Sequence, residues 1–177
     1  MTTQRLSRRV PQWESAYSDY FHARQRAFMR TSYAILGSWA AAEDATQTTF
    51  TQLYVHWPRI HPGAVDAYAR RTVVNTCFRM AKVRRRENAT DQLPDSAHDG
   101  SEGTVARLDL VTALATLSPR ARAVVALRFL DDLSVAEVAA VLNVPEGTVK
   151  SQTARALDRL QSVLAEPESI ERNHRDH

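Results

Sequence analysis

The chain has 177 residues, enough for one ordinary domain or two small ones, and its 44% hydrophobic and 24% charged residues exclude a wholly disordered polymer. A single cysteine excludes an intrachain disulfide framework, five glycines exclude a collagen repeat, and no run approaches the ~20 apolar residues of a membrane helix. The net charge of +3 conceals an asymmetry: residues 1–90 carry +8, residues 91–103 carry −4, residues 104–164 carry +1 and residues 165–177 carry −2. A concentrated basic half suits a polyanionic partner.

The N-terminal residues include Arg5, Arg8 and Arg9 but no apolar stretch of the kind a secretion signal needs. A cytoplasmic location and no membrane partner are therefore expected. Helical periodicity starts at Trp13 and runs through Tyr17, Tyr20, Phe21, Phe28 and Ile35, predicting a first helix closed by Gly37. Ser38 is a candidate N-cap for a second helix with Ala42, Ala45, Phe50, Leu53 and Trp57 inward. Pro58 and Pro62-Gly63 predict a loop near 57–64, because proline stops a helix and glycine turns the chain. A third helix is expected from about Ala64 to Glu87, with Val73, Val74, Cys77 and Ala81 on its apolar side.

Residues 88–103 are polar and acidic, holding Asp91, Asp95, Asp99 and Glu102, and read as a flexible linker that cannot bury enough surface to fold. Four further helices are predicted beyond it. One runs from Val105 to Leu117. A second, capped by Ser118 with Pro119 at its first position, ends near Leu130. A short third is opened by the capping box Ser134-Val135-Ala136-Glu137, and the last runs from Glu146 to Leu164. The tail 165–177 is charged and expected to be disordered. The chain therefore reads as all-α, in two small helical domains joined by a flexible linker: residues 10–87 and residues 104–164.

The segment 134–160 is written as a helix-turn-helix: a short capped helix of small and β-branched residues, a turn at Asn143-Val144-Pro145, then a longer helix that is polar in its first two turns. On a helical wheel Val149, Ala156, Leu160 and Val163 stack on one side, with Leu157 and Leu164 beside them. Ser151, Ala154 and Arg155 point the other way, flanked by Thr148, Lys150, Gln152 and Arg159. Arginine can bind a guanine edge with two hydrogen bonds, glutamine can read adenine, and alanine lets a helix approach the bases. An ordinary helical hairpin would share the periodicity. The capping box, the turn and Gly147-Thr148-Val149-Lys150-Ser151 at the helix start together favour DNA binding.

Further upstream, Arg71, Asn75, Arg79, Lys82 and Arg86 recur at helical spacing with Phe78 beside them, and Arg84 and Arg85 thicken the basic end. Bases that track a backbone, with an aromatic alongside, suit single-stranded DNA. The same bases could simply complement a helix C-terminus. Asp44, Gln47, Thr48 and Thr51 share one face of the second helix, in a stretch without Lys or Arg between Arg30 and Arg59. By spacing alone that face is equally a solvated surface.

The residues Glu146-Gly147-Thr148-Val149-Lys150-Ser151-Gln152-Thr153-Ala154-Arg155-Ala156-Leu157 resemble region 4.2 of the extracytoplasmic-function (group IV) sigma factors of bacterial RNA polymerase. The stretch from Leu117 to Phe129 is similar to the region 4.1 that precedes it. Ala42-Glu43-Asp44-Ala45-Thr46-Gln47-Thr48-Thr49-Phe50 resembles the region 2.2 signature, and Tyr68 to Arg86 resembles regions 2.3–2.4. The resemblance spans residues from about 13 to 164 and is nearest the SigE-like branch of high-GC bacteria. It implies an alternative sigma factor: a non-enzymatic protein that binds core RNA polymerase, recognises −35 and −10 promoter elements and aids melting.

By that match, Lys150, Ser151 and Arg155 contact the −35 element, with Thr148 near the backbone, while the region 2.3–2.4 helix binds the −10 element. Asp44, Gln47, Thr48 and Thr51 would meet the β′ clamp helices, and the C-terminal module the β flap. The loop at about Trp57 to Val65 would hold a flipped base, at a cost of a few kcal/mol to extrude it. Gln152 stands where the family usually has Arg, which removes one positive charge. An anti-sigma factor is a further partner the resemblance allows. The rival reading is a stand-alone helix-turn-helix regulator. No cofactor is expected: there is no phosphate-binding glycine loop, Cys77 sits on an apolar stripe, and His56 and His61 lack partner ligands for a metal.

Overall fold

A computed structural model describes residues 11–90 and 105–165. The described residues form seven α-helices and no strand: α1 (Trp13–Leu36), α2 (Trp39–His56), α3 (Val65–Thr90), α4 (Val105–Ala115), α5 (Pro119–Val125), α6 (Val135–Leu142) and α7 (Glu146–Leu164). The all-α expectation holds, and so do most of the predicted punctuation marks.

Gly37 ends α1 in the left-handed region (φ +70°), donating its N–H to Tyr33 O at 2.7 Å. A side chain would be strained there, which is the use of glycine at this position. Ser38 then caps α2 by accepting from Ala41 N. Ser118 caps α5 in the same way, with Pro119 in the first turn, where its missing N–H costs nothing. The predicted capping box is complete: Ser134 Oγ accepts from Glu137 N at 3.2 Å, and Glu137 Oε2 accepts from Ser134 N at 2.8 Å. Those bonds hold the exposed Glu137 carboxyl below its ordinary range. Asn143 turns the chain in the left-handed region (φ 54°), and α7 follows.

Two boundaries differ from the sequence reading. α3 continues through Thr90, so the first residues assigned to the linker are helical, and residues 91–104 lie outside the described residues. The predicted helix up to Leu130 is two pieces: α5 passes into a π-helical turn at Ala126–Leu130. The π turn widens the helix by one residue. It delivers Asp131 N to Ala126 O and is followed by Asp132 in the left-handed region (φ 52°). Composition carries no signal for that geometry.

The α1–α2–α3 bundle buries Phe28, Ile35, Phe50, Leu53, Val73, Val74 and Cys77, all at 3% exposure or less. An aromatic cluster closes its outer end: Tyr17 meets Tyr54 and Trp57 edge-on, and Phe21 meets Phe50 at 4.6 Å between centroids. Buried hydroxyls are satisfied locally, Thr46 donating to Ala42 O and Thr49 to Ala45 O, each at 2.7 Å. Burial pushes the Cys77 thiol up to about 11, as expected of a core cysteine. A smaller cluster of Ala113, Leu117, Ala156 and Leu160 joins α4, α5 and α7.

The main core does not stop at the first bundle. Ala123, Val124, Leu127, Leu133, Val138, Ala139, Val141 and Val149 belong to the same continuous apolar cluster as Phe28, Ile35 and Val73. α1 packs on α5 and its π turn, and α3 packs on α5 and α6. The two helical modules therefore lie against each other. Among the described residues no helix is long and apolar enough to cross a membrane.

Candidate nucleic-acid and polymerase interfaces

The helix-turn-helix is built as its pattern dictates. Ala139 and Val138 of α6 are buried beside Val149 of α7, and the small Ala139 side chain allows the helices to approach. Burial of Val149, Ala156 and Leu160 fixes the rotation of α7. The opposite face then carries Lys150, Ser151, Ala154, Arg155 and Arg159, all exposed, with Thr148 and Gln152 half-buried at its margin. Leu157 and Leu164, beside that packed side, are each 42% exposed. Ser151 Oγ donates to Thr148 O at 3.1 Å, a bond inside the helix that leaves its acceptor lone pair outward.

The basic face of α3 is equally well defined. Arg71, Asn75, Arg79, Lys82, Arg85 and Arg86 are exposed, opposite the buried Val73, Val74 and Cys77. Phe78 differs from a free stacking platform: it is half-buried and packs against the core. Arg84 is half-buried as well. It lines a groove with Thr48, Thr76, Arg79, Met80 and Val83, which has an apolar floor and arginines at its rim. Arg71 is partly engaged, its Nη2 donating to Ala140 O of α6 at 2.6 Å.

On α2, the residues Asp44, Gln47, Thr48, Thr51 and Gln52 line a second shallow groove. All four residues singled out there by sequence are exposed and adjacent. Glu43 accepts from Gln47 Nε2 at 3.3 Å, and Thr51 Oγ1 donates to Gln47 O at 2.9 Å, so the row is held in register. Thr48 borders both grooves, which makes the acidic and polar face of α2 continuous with the basic face of α3.

The connection between these faces is compact. Trp57–Arg59 and Pro62–Ala64 are short 3-10 turns, each with a proline in its first turn. His61 Nδ1 accepts from Gly63 N at 3.2 Å, and the Trp57 ring packs on Tyr17 and Tyr20.

Two family models match the chain in order: "Sigma-70 region 2" over residues 20–87 and "Sigma-70, region 4" over residues 107–160. The RNA polymerase sigma-E factor of Streptomyces coelicolor is 34% identical over 167 residues, covering 90% of this chain and 94% of that protein. The chain belongs to the sigma-70 family of RNA polymerase sigma factors. The ECF RNA polymerase sigma factor SigL of Mycobacterium tuberculosis is 32% identical over 145 residues, covering 77% of this chain and 82% of the relative, and places it in the extracytoplasmic-function group. The fold agrees with that of the sigma factor RpoE of Bartonella quintana, solved in complex with the anti-sigma factor NepR. That structure has a TM-score of 0.74 and 22% identity, and covers 86% of this chain and 99% of the other. It agrees also with CnrH, solved with the cytosolic domain of CnrY, at a TM-score of 0.66 and 20% identity.

The presence of both regions decides between the two readings of the helix-turn-helix. A stand-alone regulator has no use for region 2, whereas an alternative sigma factor directs promoter-specific initiation with both. The family is one of non-catalytic initiation factors.

The sequence reading missed one group of this sigma factor altogether. Arg70, next to Arg71 but about 100° round the helix, turns inward with 10% of its side chain exposed. Its Nη1 donates to Asp131 Oδ2 at 2.8 Å and its Nε to Asp66 Oδ2 at 2.8 Å. Arg24 and the Tyr20 hydroxyl also hold Asp66, at 2.9 and 3.0 Å. Burial alone would push the Asp66 carboxyl up, but Arg70, Tyr20 and Arg24 together hold it below its ordinary range. A hydrophobic stripe would have flagged an inward arginine at 70 only through its partner, sixty-one residues away.

Proposed function

We propose that this sigma factor divides promoter recognition between α3 and α7 while α2 anchors it on core polymerase. The observation that carries the reading is the rotation of α7. Its buried Val149, Ala156 and Leu160 leave Lys150, Ser151, Arg155 and Arg159 as one outward donor surface, on the second helix of a fully capped helix-turn-helix. In this reading Arg155 binds a base edge of the −35 element, Gln152 and Ser151 add donors and acceptors beside it, and Thr148, Lys150 and Arg159 hold phosphates.

Arg71, Asn75, Arg79, Lys82, Arg85 and Arg86 track the −10 strand, with Arg84 at the adjoining groove and the half-buried Phe78 on the same helix. Asp44, Gln47, Thr48 and Thr51 meet the β′ clamp helices, and the C-terminal module meets the β flap. Domain limits of 10–87 and 104–164 contain the two matched regions. The protein acts in the cytoplasm without catalysis of its own. An anti-sigma partner is supported by a sigma factor of the same fold solved with one.

In vitro transcription tests the reading. Core polymerase plus the chain should initiate from promoters near its own gene, and core alone should not. A gel shift should need core polymerase for promoter-specific retention. Tight sequence-specific retention of duplex DNA without core, together with no transcription in its presence, overturns the assignment.

A further inference from the structure

α7 carries one side chain that its own helix does not account for. Asp158 is exposed and lies nine residues beyond the buried Val149, about two and a half turns on and so on the opposite side of the helix. That is the side of Ser151, Ala154 and Arg155, which Asp158 follows by seven, four and three residues. Among the described residues Asp158 has no hydrogen-bond or ion-pair partner, not even Arg155 one turn back.

Local stability gives this acid no role. Glu146, the other acid in the N-terminal and middle turns of α7, stands in the first turn, where a negative charge complements the free N–H groups. Asp158 lies in the fourth turn, beyond that effect, and aspartate is a poor former of helix interiors. A residue that breaks a local preference without a local gain points to function.

Its charge has the wrong sign for a phosphate contact. Lys150, Arg155 and Arg159 on the same outward surface suit a polyanion, and Asp158 sits among them. Reach decides what it meets. A recognition helix presents its N-terminal residues to base edges in a groove about 12 Å wide. At about 1.5 Å per residue, Asp158 is roughly 18 Å along the axis from Glu146 and about 4.5 Å beyond Arg155. With the first turns inserted end-on, the fourth turn rises out of the groove and Asp158 keeps its water. With α7 laid flat along the duplex, and Lys150, Arg155 and Arg159 all on phosphates, Asp158 is pressed against the same backbone.

We infer that Asp158 is a specificity-determining residue that works by repulsion: it penalises flat, sequence-independent docking of α7 and favours the end-on pose in which Ser151 and Arg155 reach bases. This role rests on the assignment of α7 to the −35 element. Specificity is a difference between two affinities, so weakening the wrong complex raises it as surely as strengthening the right one. An acid that cancels one basic side chain in the flat pose removes one phosphate's counterion release, about 0.9 in the slope of log affinity against log salt.

Asp158→Asn removes the charge at nearly constant size, and Asp158→Glu keeps it. Each full-length chain is combined with core polymerase. Fluorescence anisotropy then measures binding to short duplexes that end before the −10 element. One duplex carries the −35 sequence of a promoter the chain transcribes, and the other a scrambled sequence. With Asp158→Asn the scrambled duplex should bind about three- to tenfold more tightly, with a salt slope steeper by about one unit. The −35 duplex should change by less than about twofold. Asp158→Glu should bind both as the wild type does, and both variants should melt at the wild-type temperature or above. Unchanged binding of the scrambled duplex overturns the role of Asp158, and so does equal tightening on both duplexes, which is a plain charge effect. Weaker binding confined to −35 sequences with one particular base overturns repulsion in favour of a direct base contact. A wild type that does not distinguish the two duplexes overturns the −35 assignment itself, and the role of Asp158 with it.

Discussion

Replacing Arg155 with alanine separates base reading from every structural role of α7. Arg155 is exposed, and among the described residues it makes no hydrogen bond or ion pair, so the fold loses nothing with it. The melting temperature should be unchanged, because a surface substitution away from packing stays within about 0.5 kcal/mol. Alanine is also a strong helix former, so α7 keeps its rotation. A bidentate arginine–guanine contact provides about 1–3 kcal/mol of discrimination. At about 1.4 kcal/mol per decade, that is roughly a 5- to 150-fold loss.

The assay is in vitro transcription, or polymerase-dependent gel retention, over a set of promoters carrying every base at each −35 position. Arg155→Ala should lower output from the preferred sequence and flatten the preference at one position, leaving the others unchanged. Lys150→Ala should act differently. It should weaken all promoters alike and reduce the salt dependence by about one unit of slope, as expected of a phosphate contact. A uniform loss with Arg155→Ala, or no loss at all, refutes the assignment of Arg155 to a base edge.

Ser134→Ala removes one half of the capping box and should cost about 1 kcal/mol, lowering the melting temperature by about 2–4 °C in thermal denaturation. Cys77, buried and with its thiol raised to about 11, should be alkylated by iodoacetamide at pH 8 about two orders of magnitude more slowly in the native chain than in urea. Asp66 is held below its ordinary range, so its contribution to stability is complete above about pH 4 and is lost as the pH falls through its folded value. The gap in melting temperature between wild type and Asp66→Asn should accordingly be full at pH 7 and close on acidification.

What the sequence determined by itself was local. Gly37-Ser38, Ser118-Pro119 and Ser134 with Glu137 mark helix ends because their chemistry satisfies groups within three or four residues. The periodicity of Val149, Ala156 and Leu160 oriented α7 because a helix repeats whether or not its neighbours are known. The same logic placed Asp44, Gln47, Thr48 and Thr51 along one groove and spread the arginines of α3 over one exposed face. It left open how deeply Leu157 and Leu164, beside that stripe, are covered, because a wheel gives an angle and not the distance at which the neighbouring helix ends.

Tertiary structure alone decided how the two modules meet. Arg70 and Arg71 are indistinguishable as letters, yet one is buried against Asp131 and the other faces outward to Ala140 O. Asp131 follows directly on the π turn after α5 and meets Arg70 with only 4% of its side chain exposed. Contacts between residues 61 and 100 positions apart depend on the summed packing of α1, α3, α5 and α6, and no periodicity along the chain encodes such a sum.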